Sequence, residues 1–219
     1  MKKILIILSF LIANAYYAST GAYVGIGASG NILYGKQNLA LSSNGTGPMA
    51  LQYGLRGTAI SAEILAGYGY VLSSLYLGAE GNYSFLNMKA KFGSKIGTHD
   101  ESFTTKLGNG YGIAFRCGYI AGNSLIYLRM GLESRKISLN FEDPNNRFIS
   151  VNKNYRSNAF VPGLGMETKL TKHLAFRLEG KGAFYPQKAF NINRDARNYT
   201  RIKTKPRLYN LSAAITYTF

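Results

Sequence analysis

LYNLSAAITYTF, residues Leu208 to Phe219, is the stretch whose reading decides the fold. Counting back from Phe219, every second residue is apolar: Phe219, Tyr217, Ile215, Ala213, Leu211 and Tyr209. Between them lie Thr218, Thr216, Ala214, Ser212 and Asn210, which are small or polar. Period two is the period of a β-strand with two unlike faces. Such a strand needs partners for its backbone donors and acceptors on both edges. A closed barrel supplies them by pairing the last strand with the first. The fold therefore turns on whether the chain holds seven more strands of this kind and a route to a membrane.

The route comes first. Lys2 and Lys3 precede an apolar run from Ile4 to Ala13, and Ala13-Asn14-Ala15 is a small-x-small site. Residues 1–15 read as a secretory signal peptide with cleavage after Ala15. The run is too short to cross a bilayer core of about 30 Å as a helix. No Cys follows the cleavage site, so no lipoprotein anchor is expected, and residues 16–219 are left as one domain. Gly (25), Tyr (17) and Phe (12) are abundant while Pro is only 5, a composition of many short strands. The single Cys117 cannot form an intramolecular disulfide. The net charge is +16, or +14 once Lys2 and Lys3 leave, which points to anionic partners.

Seven more amphipathic stretches follow the same rule, at about 22–34, 58–70, 75–85, 107–119, 126–134, 162–170 and 174–185. In the third, Leu75, Leu77, Ala79, Tyr83 and Phe85 oppose Tyr76, Gly78, Glu80, Asn82 and Ser84. In the seventh, Gly180 and Gly182 fall on the apolar face and weaken the pattern. The connections alternate. Short ones follow Tyr70, Tyr119 and Leu170. Long polar ones cover about 35–57, 87–105, 135–158 and 186–206. Tight turns at one end and long loops at the other are what a membrane barrel shows, and a soluble sandwich has no reason for strict alternation.

The two faces settle the environment. One carries Leu, Ile, Val, Phe, Tyr and Met, with aromatics near the strand ends, as a lipid-facing band does. The other carries Gly, Ser, Thr and ten charges: Glu63, Glu80, Arg116, Arg129, Glu133, Glu167, Lys169, Arg177, Glu179 and Lys181. Unpaired charges inside a soluble protein would cost several kcal/mol each. Inside an eight-stranded barrel, just wide enough for side chains to fill, they can pair. The spacing predicts a carboxylate–guanidinium network built around Glu80 and Arg116, with Glu179 or Arg177 as further members. Removing a partner is expected to destabilise the barrel and open a conductance.

The alternating strands, the segments GYGYVLSSLYLGAEG (Gly67–Gly81) and GLGMETKLTKHLAFRLEG (Gly163–Gly180), and the final Tyr217-Thr218-Phe219 resemble small outer-membrane β-barrels. The family is that of the OmpA transmembrane domain, OmpX and the opacity-type surface proteins. The resemblance is one of pattern over the whole mature chain. It implies an all-β, eight-stranded antiparallel barrel in the outer membrane of a Gram-negative bacterium, exported by the general secretory pathway. Both chain ends and the short turns would face the periplasm. It also implies that the barrel-assembly machinery reads Ile215, Tyr217 and Phe219. Unlike full-length OmpA, no peptidoglycan-binding domain is expected after the barrel.

Chemistry is sparse. His173 lies in a predicted short turn, and His99 lies with Asp100, Glu101 and Ser102 in a long connection. That cluster reads as a solvated loop tip rather than a hydrolytic dyad, which would need a placed nucleophile. There is no Cys/His metal spacing. Gly25, Gly27 and Gly30 lack the following helix of a phosphate-binding fingerprint. No enzyme activity, cofactor or nucleic-acid partner is expected. The basic excess concentrates in the last long connection: Lys188, Arg194, Arg197, Arg201, Lys203 and Lys205, with Arg207 beside it, against Asp195. Its expected partners are lipopolysaccharide phosphates, outer-membrane lipid, or an acidic polysaccharide or host surface. The chain reads as a monomeric surface protein, with a small pore as the alternative and a lipid-modifying enzyme as a third.

Overall fold

The computed structural model describes residues 20–43, 46–96, 99–142, 150–195 and 198–219. Side chains are described outside 37, 39–53, 91–103, 141–152 and 191–202. The expected signal peptide falls outside these residues. Ten strands follow one another: β1 (Gly21–Ser43), β2 (Thr46–Leu72), β3 (Leu75–Phe85), β4 (Met88–Ile96), β5 (His99–Ala121), β6 (Ser124–Glu142), β7 (Ser150–Lys169), β8 (Leu174–Phe184), β9 (Lys188–Asp195) and β10 (Asn198–Thr218).

They make eight staves. Each neighbouring pair is antiparallel, and β1 pairs with both β2 and β10, so the sheet closes on itself. Following the register sideways from Arg56 through Tyr34, Arg207, Phe184, Phe160, Leu132, Ile113 and Gly81 returns to β2 at Ala66, ten residues on. A stagger of that size in eight staves tilts the strands by about 40° from the barrel axis.

One end is turned tightly. Ser73 and Gly122 sit at φ 57° and 60°, the left-handed conformation that two-residue hairpins use. In the third turn the Leu170 and Thr171 amides donate to the Leu174 carbonyl, and Thr171 Oγ1 accepts from the His173 and Leu174 amides.

The other end differs from the long polar loops that the sequence suggests: the strands simply continue. Two staves bend on the way. β3 pairs with β5 up to Ser84↔Gly110, and β4 resumes at Met88↔Leu107. β8 pairs with β10 up to Phe184↔Arg207, and β9 resumes at Lys188↔Thr204. Pro186, which has no N–H to give a ladder, stands at the second bend.

Beyond the bends, among the described residues, β4 pairs only with β5 and β9 only with β10. The barrel thus opens into two four-stranded leaves, β9-β10-β1-β2 and β4-β5-β6-β7. Leu33, Leu55 and Leu208 of the first leaf pack against Met88, Leu107, Ile137, Leu139 and Val161 of the second. Tyr155 and Phe190 touch across the β7/β9 seam, with ring centroids 5.0 Å apart. Burial there pushes the Tyr155 hydroxyl up to about 12.

The outer face of the closed part is the apolar band. Ile26, Ile60, Ile113, Leu128, Leu164 and Leu211 are each more than half exposed, as residues facing lipid are in the absence of lipid. Leu128→Arg should therefore cost roughly 2–4 kcal/mol if it lies near the bilayer midplane. Leu128→Phe should be near neutral. Urea unfolding in lipid vesicles measures both, and an unshifted midpoint for Leu128→Arg would place the bilayer elsewhere.

Candidate functional site

Alternation along each strand aims the charged positions inward, and the closed barrel brings them together. Glu80 on β3, Arg116 on β5, Glu167 on β7 and Arg177 on β8 form a ring of ions across the lumen. Each arginine touches each glutamate. Arg116 lies 3.6 Å from Glu80 and 3.0 Å from Glu167, and Arg177 lies 2.5 Å and 2.8 Å from the same two. Alternating signs make all four contacts attractive in a space where water screens little. Glu80 and Arg116 are both in this ring, yet the shorter contact of Glu80 is with Arg177.

Two further clusters lie beside it. Lys181 Nζ reaches Glu63 at 2.8 Å and Glu179 at 3.4 Å, and Arg129 faces Glu179 at 3.6 Å while donating to Asn82 at 2.9 Å. Arg135 donates to Glu133 at 2.7 Å and to the Gly108 carbonyl at 2.9 Å, with the Tyr185 hydroxyl donating to Glu133 at 2.8 Å. Each of the three clusters is neutral by count. Lys169 sits half-buried at the turn end of β7, its carbonyl accepting from Asn123 at 2.6 Å.

Lumen tyrosines, which charge reading alone passes over, hold these ions. Tyr23 donates to Glu80 at 2.8 Å, and Tyr127 donates to Glu179 at 2.9 Å. Arg116, fully buried, lies 3.8 Å from the Tyr127 ring centroid and 5.2 Å from that of Tyr76. These ring faces stabilise the buried guanidinium. Glycines on the same and on neighbouring strands make room for the rings. Gly165, paired with Tyr127, has that ring where a Cβ would stand; Gly69 and Gly78 do the same for Tyr76. The signal was in the sequence as inward Tyr registered against inward Gly, but it appears only once the register is known.

Nearer the open leaves comes a layer of Ser29, Ser61, Asn31 and Asn210, bonded to one another at 2.7–2.9 Å. Above it is the apolar core between the leaves, and below the ions Tyr76, Leu125 and Tyr127 pack together. Buried side chains thus occupy the lumen at each of these levels among the described residues.

The rest of the chain carries an excess of cations. Of 26 Lys and Arg and 10 Asp and Glu, the three clusters take five of each, leaving 21 cations, Lys2 and Lys3 of the expected signal peptide among them, and five carboxylates. Every carboxylate whose side chain is described lies in the lumen. Lys203, Lys205 and Arg207 project from the outer face of β10. Lys188 instead bridges the seam, donating to the Arg156 carbonyl at 2.9 Å over the Tyr155 ring. The side chains of Arg194, Arg197 and Arg201, and of His99, Asp100, Glu101 and Ser102, lie outside the described residues. At the turn end the His173 ring stacks on Tyr217 at 5.5 Å, and Phe219 meets Tyr217 edge-on at 5.3 Å.

The family model described as "outer membrane protein beta-barrel domain" matches residues 4–219. Among solved structures the chain is similar to the outer membrane protein OprG from Pseudomonas aeruginosa: 15% identity, 91% of this chain and 96% of that one, TM-score 0.59. It is also similar to the outer membrane protease OmpT from Escherichia coli, at 9% identity, 95% of this chain and 100% of that one, TM-score 0.52. At these identities the likeness is one of fold. No curated protein matches the chain.

Proposed function

We propose, from the premise that this chain belongs to the outer membrane protein β-barrel domain family, that it is a plugged barrel anchoring a cationic two-leaf surface that engages anionic saccharides. One observation carries this reading: the segregation of charge. The five lumen carboxylates are consumed by five lumen cations, so nothing within the described barrel neutralises the basic residues outside. The remaining acids, Asp100, Glu101, Glu142, Asp143 and Asp195, are outnumbered by Lys and Arg in the long polar stretches of the sequence that hold them. A surface of one sign raises the local concentration of oppositely charged polymers and speeds their arrival. The filled lumen argues against the pore reading, because a conducting path needs a continuous wet space.

The test uses the protein in neutral-lipid nanodiscs, passed over immobilised sulfated polysaccharide or over neutral dextran. Retention on the anionic matrix is expected at about 0.05 M salt and should be lost near 0.5 M, where screening shortens to a few ångströms. Replacing Arg194, Arg197 and Arg201 together by Gln should weaken retention without changing the folded yield. Equal passage over both matrices at low salt would sink the reading.

A further inference from the structure

We propose that the seam between β7 and β9 accepts an extended strand of alternating apolar and acidic residues from a protein partner. The two seams between the leaves differ. At the β2/β4 seam the chains touch closely: a Cβ on Gly57 would stand 3.2 Å from the Ala90 Cβ and 3.5 Å from the Lys89 carbonyl oxygen. At the β7/β9 seam the contacts among the described residues come from side chains. The Tyr155 and Phe190 rings meet on its inner side, and Lys188 Nζ crosses it to the Arg156 carbonyl. No ladder joins the two strands there. Among the described residues β9 pairs only with β10, and the β7/β8 ladder ends at Phe160↔Phe184.

The bond from Lys188 shows which groups of β7 look into the seam. In an antiparallel strand the N–H and C=O of one residue point to the same side, and successive residues alternate sides. Arg156 therefore turns both groups toward β9, and Asn154 and Asn158 do the same. Tyr155 and Ser157 turn theirs to β6, where they stand opposite Ile137 and Arg135. Of the three seam-facing residues, Lys188 serves one carbonyl. A strand edge in this state invites a further strand, and lysine at an edge guards against indiscriminate pairing. One strand bonded to both edges sets β7 and β9 about 10 Å apart, two strand spacings.

The two faces of the slot fix the partner. Inward lie the Tyr155 and Phe190 rings, partly buried against the apolar core between the leaves. The added strand is apolar on that side. Outward, Lys136 stands beside Arg156 on one bank, and Lys203 stands beside Ala189 on the other. No carboxylate whose side chain is described lies on this outer face. The added strand is acidic on that side. A second copy of this chain brings the same cations to the seam and is repelled, so the fit is to another protein. In strand addition the main-chain bonds give affinity and the alternate side chains give specificity. This goes beyond the saccharide reading and does not depend on it, since a saccharide has no strand to add.

The experiment uses the full protein in phosphatidylcholine nanodiscs and three fluorescein-labelled peptides, followed by anisotropy. They are four Val-Glu repeats, the same peptide with its two middle Val replaced by Pro, and four Val-Lys repeats. The Pro peptide keeps the charge and loses two main-chain donors. The Val-Glu peptide should bind about tenfold more tightly than either of the others. Bound, it should slow amide exchange at Asn154, Arg156 and Asn158 and leave Tyr155 and Ser157, whose amides face β6, unchanged. N154P removes a seam-facing N–H that β6 does not use, so it should fold and lose about tenfold in affinity. R156E should move the preference from the Val-Glu toward the Val-Lys peptide. Heat-modifiable mobility reports folding for each variant, and R156E carries the test if N154P fails to fold. Equal affinity for the Val-Glu and Pro peptides, or exchange slowed at none of the three seam amides, would overturn the proposal. N154P should be held by the sulfated-polysaccharide column as wild type is, which separates failure here from failure of the saccharide reading.

Discussion

Deleting Phe219 is expected to abolish insertion of the barrel in cells while leaving its refolding into detergent nearly intact. The folded structure gives Phe219 little to do. Its side chain is 73% exposed, it meets Tyr217 by one ring edge, and its amide donates once, to the Ala22 carbonyl at 3.1 Å. Losing one partly exposed hydrogen bond and one edge contact costs about 1 kcal/mol each. β10 keeps its ladders with β1 and β8, and His173 still stacks on Tyr217 and bonds the Thr218 carbonyl at 2.9 Å. A loss of that size cannot empty the membrane of protein. If insertion nonetheless fails, the outward row Ile215, Tyr217 and Phe219 is acting before the barrel closes, as a segment read during assembly. Phe219→Lys should behave the same way. The measurement pairs heat-modifiable protein in the outer-membrane fraction with refolding yield in vitro. Normal insertion of the deletion would refute the signal, and equal failure in both settings would make Phe219 a structural residue instead.

The barrel itself is legible in the sequence because period two survives everything tertiary context does to it. The inward and outward sets of all eight staves follow from alternation, down to Gly180, which stands in open space on the outer face. What alternation did not deliver was the extent of the strands. Lys136-Ile137-Ser138-Leu139-Asn140 alternates as strictly as any membrane stretch, yet its polar residues sit among a run of polar neighbours that reads as a loop. Leu33, Leu55 and Leu208 continue the inward parity of strands whose lower inward positions are mostly small or polar, and Leu107 reaches the inner face only through the bulge between Leu107 and Gly110, so no single window flags them as core. Their role depends on two leaves coming face to face, a long-range fact. The ion clusters were half legible. Sign and face come from sequence, but the pairing of Glu80 with Arg177, 97 residues away, is set by stagger around the barrel.

Glu80→Ala is expected to lower stability by about 3–5 kcal/mol, the cost of breaking a buried ion pair and stranding its partner. In the wild type, Glu80 and Glu167 together offset Arg116 and Arg177, and all four are under a tenth exposed. Without Glu80, one carboxylate serves two guanidiniums, and Arg116 and Arg177 repel across a space with little water. Tyr23 also loses the acceptor for its hydroxyl. Glu80→Gln keeps an acceptor for Tyr23 but not the charge, so it should fall between. Removing a second member should give stability back: Glu80→Leu with Arg177→Met leaves Arg116 and Glu167 as a matched pair, and the double variant should lose less than the two singles added. Urea midpoints in lipid vesicles measure all four proteins. Conductance is a separate matter. The sequence alone suggests that breaking the network opens a pore, but Leu33, Met88, Leu107 and Ile137, each fully buried, close the lumen beyond the ions and do not depend on them. Planar-bilayer recordings of Glu80→Ala should therefore stay at baseline even as its midpoint drops. An unchanged midpoint would mean that the ring is not holding the staves together, and a large steady conductance in the wild type would overturn the plugged lumen altogether.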